Sequence, residues 1–143
     1  MAELTSSVGA SPVEIQRDLT DEAAIALGFS SKGPGRRLLA PLVRVGTRRV
    51  AEWLSEADQL ALEKGTREAA DYLLSRIVSG VRVFGVERVP AEGPLVFAGN
   101  HPGSVDGLVT LSQSSRNDTR VYATSIPIFR RLRCAEKIGM LVA

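Results

Sequence analysis

The amino-acid sequence predicts an α/β protein, with a helical N-terminal region followed by the first strands and helices of a mainly parallel sheet. Three observations predict it. Apolar residues recur at helical spacing from Arg37 to about Leu62 and again from Thr66 to Val78, so that one side of a 3.6-residue period is apolar. After Gly80 the period shortens to two in Val81-Arg82-Val83-Phe84, and Leu95-Val96-Phe97-Ala98 is continuously apolar, as in a strand buried on both faces. Strand-like and helix-like stretches then alternate to the end of the chain, the pattern of helices crossing between parallel strands.

The elements can be taken in order. Residues 1–30 carry five acidic residues against Arg17, a net of −4, and residues 31–50 carry six basic residues and no acid. Between them Gly28 to Gly35, rich in Gly and Ser with Pro34, has a linker's composition. Residues 1–35 are therefore expected to be a flexible acidic arm and linker, with at most a short helix after the cap signal Thr20-Asp21-Glu22. Residues 36–80 are the amphipathic helical region. Its apolar stripe is Leu38, Leu39, Leu42, Val43, Val50, Trp53 and Leu54, flanked by Arg36, Arg37, Arg44, Arg48 and Arg49. Two readings fit: the basic helix with Trp53 lies on an anionic bilayer, or the stripe packs on the domain and the arginines are its solvated face. A second helix over Thr66 to Val78 gathers Ala69, Ala70, Leu73, Leu74, Ile77 and Val78 on one face, and Gly80 stops it.

Residues 81–143 are the expected α/β part. The strand from Val81 is interrupted at Gly85 by a bulge or tight bend, and Pro90-Ala91-Glu92-Gly93-Pro94 is a turn. A second strand over Leu95–Ala98 leads through Asn100 to a helix from Ser104 to about Ser112. Arg116 to Thr119 is a polar turn and Val121-Tyr122-Ala123 a third strand. Pro127 opens a short helix through Arg133, and Ile138 to Val142 is a fourth strand.

Composition bounds the function. A chain of 143 residues with 44% hydrophobic content suits one domain with a core. A net charge of +2 implies no polyelectrolyte partner, and 5% aromatics argues against a base-stacking surface; no nucleic acid is expected. The single cysteine, Cys134, excludes an internal disulfide and fits a reducing compartment. Its sequence neighbours Arg131, Arg133 and Lys137 can lower a thiol pKa, although an incidental small side chain is the plainer expectation. The N-terminus lacks the basic and apolar regions of an export signal. No run approaches the ~20 apolar residues of a membrane span, so the expected location is cytoplasmic, with any membrane contact peripheral to the inner face. One histidine and one cysteine, far apart, offer no metal cluster.

Chemistry concentrates in Asn100-His101-Pro102-Gly103-Ser104-Val105-Asp106. In open α/β sheets functional groups gather where strands end and loops cross to helices. His101, the only histidine, follows the most hydrophobic strand-like run, and Asp106 comes five residues later at a helix start. A carboxylate on one ring nitrogen fixes the tautomer and raises basicity, leaving the other nitrogen to take a hydroxyl proton. A lone histidine at a strand end can equally be a structural hydrogen-bonder, and His-x4-Asp alone arises by chance. No Gly-x-Ser-x-Gly elbow is present, which weighs against an α/β hydrolase.

Context adds to the motif. Val83-Phe84-Gly85-Val86-Glu87-Arg88-Val89-Pro90-Ala91-Glu92-Gly93-Pro94, leading into Asn100-His101-Pro102-Gly103-Ser104-Val105-Asp106, resembles the opening of the glycerolipid (1-acylglycerol-3-phosphate, or lysophospholipid) acyltransferases, in their bacterial Asn-His-Pro-Gly form. The resemblance implies that His101 is the general base and Asp106 the residue that orients and charges it. Asn100, Pro102 and Gly103 would shape the loop. It implies transfer of a fatty acyl group from acyl-CoA or acyl-carrier protein to a glycerol phosphate or lysophospholipid at a membrane face, with no cofactor. The family's later blocks, one with a phosphate-gripping arginine and one reading Glu-Gly, do not appear after Asp106. By that resemblance the 143 residues are the N-terminal part of the acyltransferase domain, a truncated form expected to turn over weakly. Arg130, Arg131 and Arg133 are expected on a solvated or membrane-facing edge. The competing expectation is a non-catalytic membrane-surface or partner-binding module built on residues 36–54.

Overall fold

A computed structural model of the chain describes residues 11–29, 34–100, 105–116, 118–124 and 126–142. Among them the chain is mostly helical. In order come α1 (Pro12–Ala26), α2 (Pro34–Glu63), α3 (Thr66–Ile77), a single 3-10 turn over Val86–Arg88, α4 (Asp106–Gln113), β1 (Val121–Thr124), α5 (Pro127–Arg131), α6 (Ala135–Ile138) and β2 (Gly139–Val142).

The stretch read as a flexible acidic arm forms α1. Ser11 caps it, with its hydroxyl accepting from the Glu14 backbone N–H while the Glu14 carboxylate accepts from the Ser11 N–H. This reciprocal capping box satisfies two otherwise orphaned donors, and Pro12 suits the first helical turn. The helix therefore starts nine residues before the Thr20 signal. It runs back along α2, with Thr20 and Thr47 hydroxyls 3.1 Å apart and the Gln16 amide donating to the Arg44 carbonyl at 2.9 Å. Ile15, 1% exposed, packs with Ala51 of α2 and Ile128 of α5.

The helix expected over residues 37–62 is α2. Its inward stripe is Thr47, Ala51, Leu54, Asp58 and Ala61, spaced by fours and threes along one side of the helix. Gly65, at φ +127°, turns the chain into α3. Ala57 and Ala61 then meet Ala69, and Leu60, Tyr72, Leu73, Leu132 and Ile138 close around them and Cys134. Small side chains at the seam let the helices approach closely. The Tyr72 hydroxyl donates to Glu56, a tie between α2 and α3. Hydrogen bonding to that carboxylate, with partial burial, raises the Tyr72 pKa, and Arg76 lies 5.0 Å over the ring.

Among the described residues the expected α/β architecture is not present. The described β structure is one short parallel pair, Val121 opposite Gly139 through Thr124 opposite Val142. These are the third and fourth expected strands. The first two expected strands do not form, since Val81–Gly85 and Leu95–Asn100 carry no sheet pairing. Phe84 and Val96 are each 85% exposed. The apolar pattern there is real, but a strand needs a lateral partner for its N–H and C=O groups, and the one described strand pair is β1 with β2. Gly85, at φ +82°, makes the expected bend and opens the 3-10 turn, and Gly93, at φ +84°, sits in the expected Pro90–Pro94 turn.

Candidate functional site

The expected catalytic motif straddles the entrance to α4. Asn100 ends the unpaired stretch that begins at Leu95 and is exposed. His101, Pro102, Gly103 and Ser104 lie outside the described residues. Asp106 is the first residue of α4, where an acidic side chain is favoured by the helix macrodipole. Its side chain is half-buried and its Oδ1 is shut off from solvent. The Asp106 carbonyl accepts from the Thr110 hydroxyl at 2.9 Å, tightening that first turn.

Residues that sequence reading passed over hold the far end of α4 in place. From α4, the buried Ser112 hydroxyl donates to Asp71 of α3, and the Gln113 amide donates to Ser112 Oγ at 2.8 Å. Arg116 follows α4, and its side chain is only 10% exposed. It reaches the Pro90 carbonyl at 3.4 Å while its fork grips Asp118 at 2.9 and 2.6 Å. Hydrogen bonding to Arg116 holds the Asp118 carboxyl below the usual carboxylate range. Arg116 thus ties the segment leading to the motif to the loop leaving α4. The signal in the sequence was Arg116-Asn117-Asp118-Thr119, a stretch whose arginine and aspartate two residues apart mark more than a polar turn.

Of the C-terminal arginines, Arg130 is exposed, as expected of a solvated edge, whereas Arg131 and Arg133 are tied to carboxylates of the helical region. Arg131 pairs with Asp18 of α1 and lies 3.6 Å from Glu14. Arg133 donates to Asp58 Oδ2 at 3.2 Å, and the other oxygen of this buried carboxylate accepts from the Cys134 N–H at 2.8 Å. Both arginines are structural ties across the fold. Arg130, Arg131, Pro127 and Asp18 line an open hollow of about 460 Å³.

Cys134 is not an activated thiol. It is buried, and desolvation, followed by the hydrogen bond and charge of Asp58, pushes its pKa up to about 12. The neighbouring arginines do not prevail: Arg131 is directed to Asp18, and Arg133 is paired with Asp58, whose own hydrogen bond and charge act on the thiol on top of its burial.

Of the membrane-surface candidates, Arg36 and Arg37 belong to α2 but their side chains lie outside the description. Arg44, Arg48 and Arg49 are exposed, and Trp53 is half-buried. Arg48 pairs with Glu52 one turn on, at 2.9 Å. The stripe divides between the two readings: Val43 and Leu54 turn partly inward, whereas Leu42 and Val45 are 77% and 80% exposed. Among the described residues no helix is long and apolar enough to cross a membrane, and no group of three His, Cys, Asp or Glu side chains could hold a metal. No protein-family model matches the chain, and none of the curated proteins or solved structures matches it.

Proposed function

We propose that the chain carries the base-bearing part of an acyltransferase acting on a glycerol phosphate or lysophospholipid hydroxyl. In this reading His101 removes the acceptor hydroxyl proton as the oxygen attacks the carbonyl of an acyl thioester on CoA or acyl-carrier protein. The tetrahedral adduct collapses, the C–S bond breaks, and the thiolate leaves with the proton that His101 had taken. Asp106 holds the imidazolium in place while it carries that proton.

The observation that supports the reading is the position of Asp106. It is the first residue of α4, half-buried, in a helix that the Ser112 hydroxyl ties to Asp71 of α3. A carboxylate at the first turn of a helix is suited to orient an imidazole that shortly precedes it in sequence. The Glu87-Arg88-Val89-Pro90-Ala91-Glu92-Gly93-Pro94 lead-in is the second support, since its resemblance to glycerolipid acyltransferases is independent of the histidine.

The test is release of free CoA from a long-chain acyl-CoA in the presence of glycerol 3-phosphate or lysophosphatidic acid. A slow release is expected that depends on acceptor and falls at least roughly a hundredfold in His101→Ala, the lower end of what a general base supplies. Release unchanged in His101→Ala, or absent with both acceptors, would set the reading aside.

A further inference from the structure

The charge along α2 is split. Its first part, residues 34–49, contains five arginines and no acid, and residues 50–63 contain four acids and no base. That order opposes the helix macrodipole, which favours acids in the first turn and bases in the last. A helix arranged against its own dipole has another use for its charges.

Geometry shows where they face. Leu42, Val45 and Arg49 are three and four residues apart and share the outer side of α2, opposite the Thr47–Ala51–Leu54–Asp58 stripe. Arg44 and Arg48 are exposed on the flank between this outer side and the side that faces α1, from which their long side chains reach solvent. Because α1 runs back along α2, with Thr20 against Thr47, its C-terminal residues Ile25 and Leu27, also exposed, come to the same end of the hairpin. The result is a set of solvent-facing aliphatic side chains among arginines, at the end of the molecule away from the Asp58–Arg133 tie.

We propose that this end of the α1–α2 hairpin docks on an anionic phospholipid surface, Leu42 and Val45 entering the headgroup boundary and Arg44, Arg48 and Arg49 meeting lipid phosphates. Both halves of the surface have a role only there: anionic headgroups draw the arginines, and the acyl boundary receives the aliphatic side chains. A nucleic-acid backbone satisfies arginines but offers nothing to exposed leucine and valine. The Arg48–Glu52 pair is exposed on both sides and is easily exchanged for lipid phosphate.

The inference does not rest on acyl transfer, so the two can fail separately: vesicle binding is read without any acyl donor. The full chain is sedimented with vesicles of phosphatidylcholine alone or of phosphatidylcholine with phosphatidylglycerol, at low and high salt. Binding is expected only to the anionic vesicles, weakening as salt rises. Arg44→Gln/Arg48→Gln/Arg49→Gln should weaken it on the order of a hundredfold. Leu42→Ser/Val45→Ser should weaken it several-fold, with thermal melts like those of the parent chain because these side chains are exposed. Phe84→Ser/Val96→Ser should bind as the parent does. The proposal is overturned by equal binding to uncharged vesicles, by parent-like binding of both α2 variants, or by loss of binding in the Phe84/Val96 variant alone. It is also overturned if α2 retains an acidic peptide or DNA while vesicles stay unbound.

Discussion

Two apolar regions of this chain have opposite fates. In α1, α2 and α3 the apolar side chains face one another, and Ile15, Ala51, Ala57, Ala61 and Ala69 are nearly closed to solvent. From Val81 to Phe97 an equally apolar stretch lies open, with Phe84 and Val96 85% exposed. Hydrophobicity is the same driving force in both. The difference is that a helix satisfies its own backbone and needs only one covered side, whereas an extended segment needs both a partner for its backbone and cover for its side chains. The helical region is further bolted by long-range ion pairs, Arg131 to Asp18 and Arg133 to Asp58. The extended region is held by Arg116 on the Pro90 carbonyl.

Substitutions on either side sharpen that contrast. Ile15→Ala is expected to lower unfolding free energy by about 3 kcal/mol, through lost burial and the cavity left behind. Phe84→Ala removes a larger side chain and is expected to change stability by less than about 0.5 kcal/mol. Urea denaturation of the two variants measures both, and a large loss in Phe84→Ala would break the comparison. Asp58→Ala is expected to cost about 2 kcal/mol, because the buried Cys134 N–H loses its acceptor and Arg133 its carboxylate.

The Cys134 thiol gives a pH-dependent reading of the same core. Its folded pKa of about 12 lies above the value near 8.5 usual for an exposed thiol. The unfolded chain therefore releases the proton first, and the stability this group contributes is present below about pH 8.5 and lost as pH rises towards about 12. Alkaline denaturation should show that slope, and Cys134→Ala should remove it. Native Cys134 should also resist alkylation at mildly alkaline pH and react once the chain is unfolded. A local effect is expected from Arg116→Ala, which should leave global stability within about 0.5 kcal/mol while speeding limited proteolysis between Val89 and Asn100.

Much of the helical half was legible in the sequence. The helical period over residues 37–62 marked α2, the one from Thr66 marked α3 to within a residue, and the run after Ser104 marked α4. The α1 helix was missed although Ser11-Pro12-Val13-Glu14 spells a capping box, because the acidic composition of the segment outweighed that local signal. The strands over 81–98 were misread for a different reason: a two-residue period reports side-chain alternation and says nothing of whether a neighbouring strand exists. In the candidate site, the place of Asp106 at a helix start was readable from spacing. The state of Cys134 was not, since its decisive neighbour, Asp58, is 76 residues away and also takes up Arg133, while Arg131 points to Asp18.

The central proposal, His101 as a general base served by Asp106, is tested most directly by the pH–rate profile of CoA release from acyl-CoA with glycerol 3-phosphate as acceptor, comparing the parent chain with Asp106→Asn. A profile that rises through a single ionisation near the ordinary histidine range, with a slower rate and a lower midpoint in Asp106→Asn, is what the proposal predicts. A rate that rises with pH identically in both chains, or that persists in His101→Ala, would contradict it.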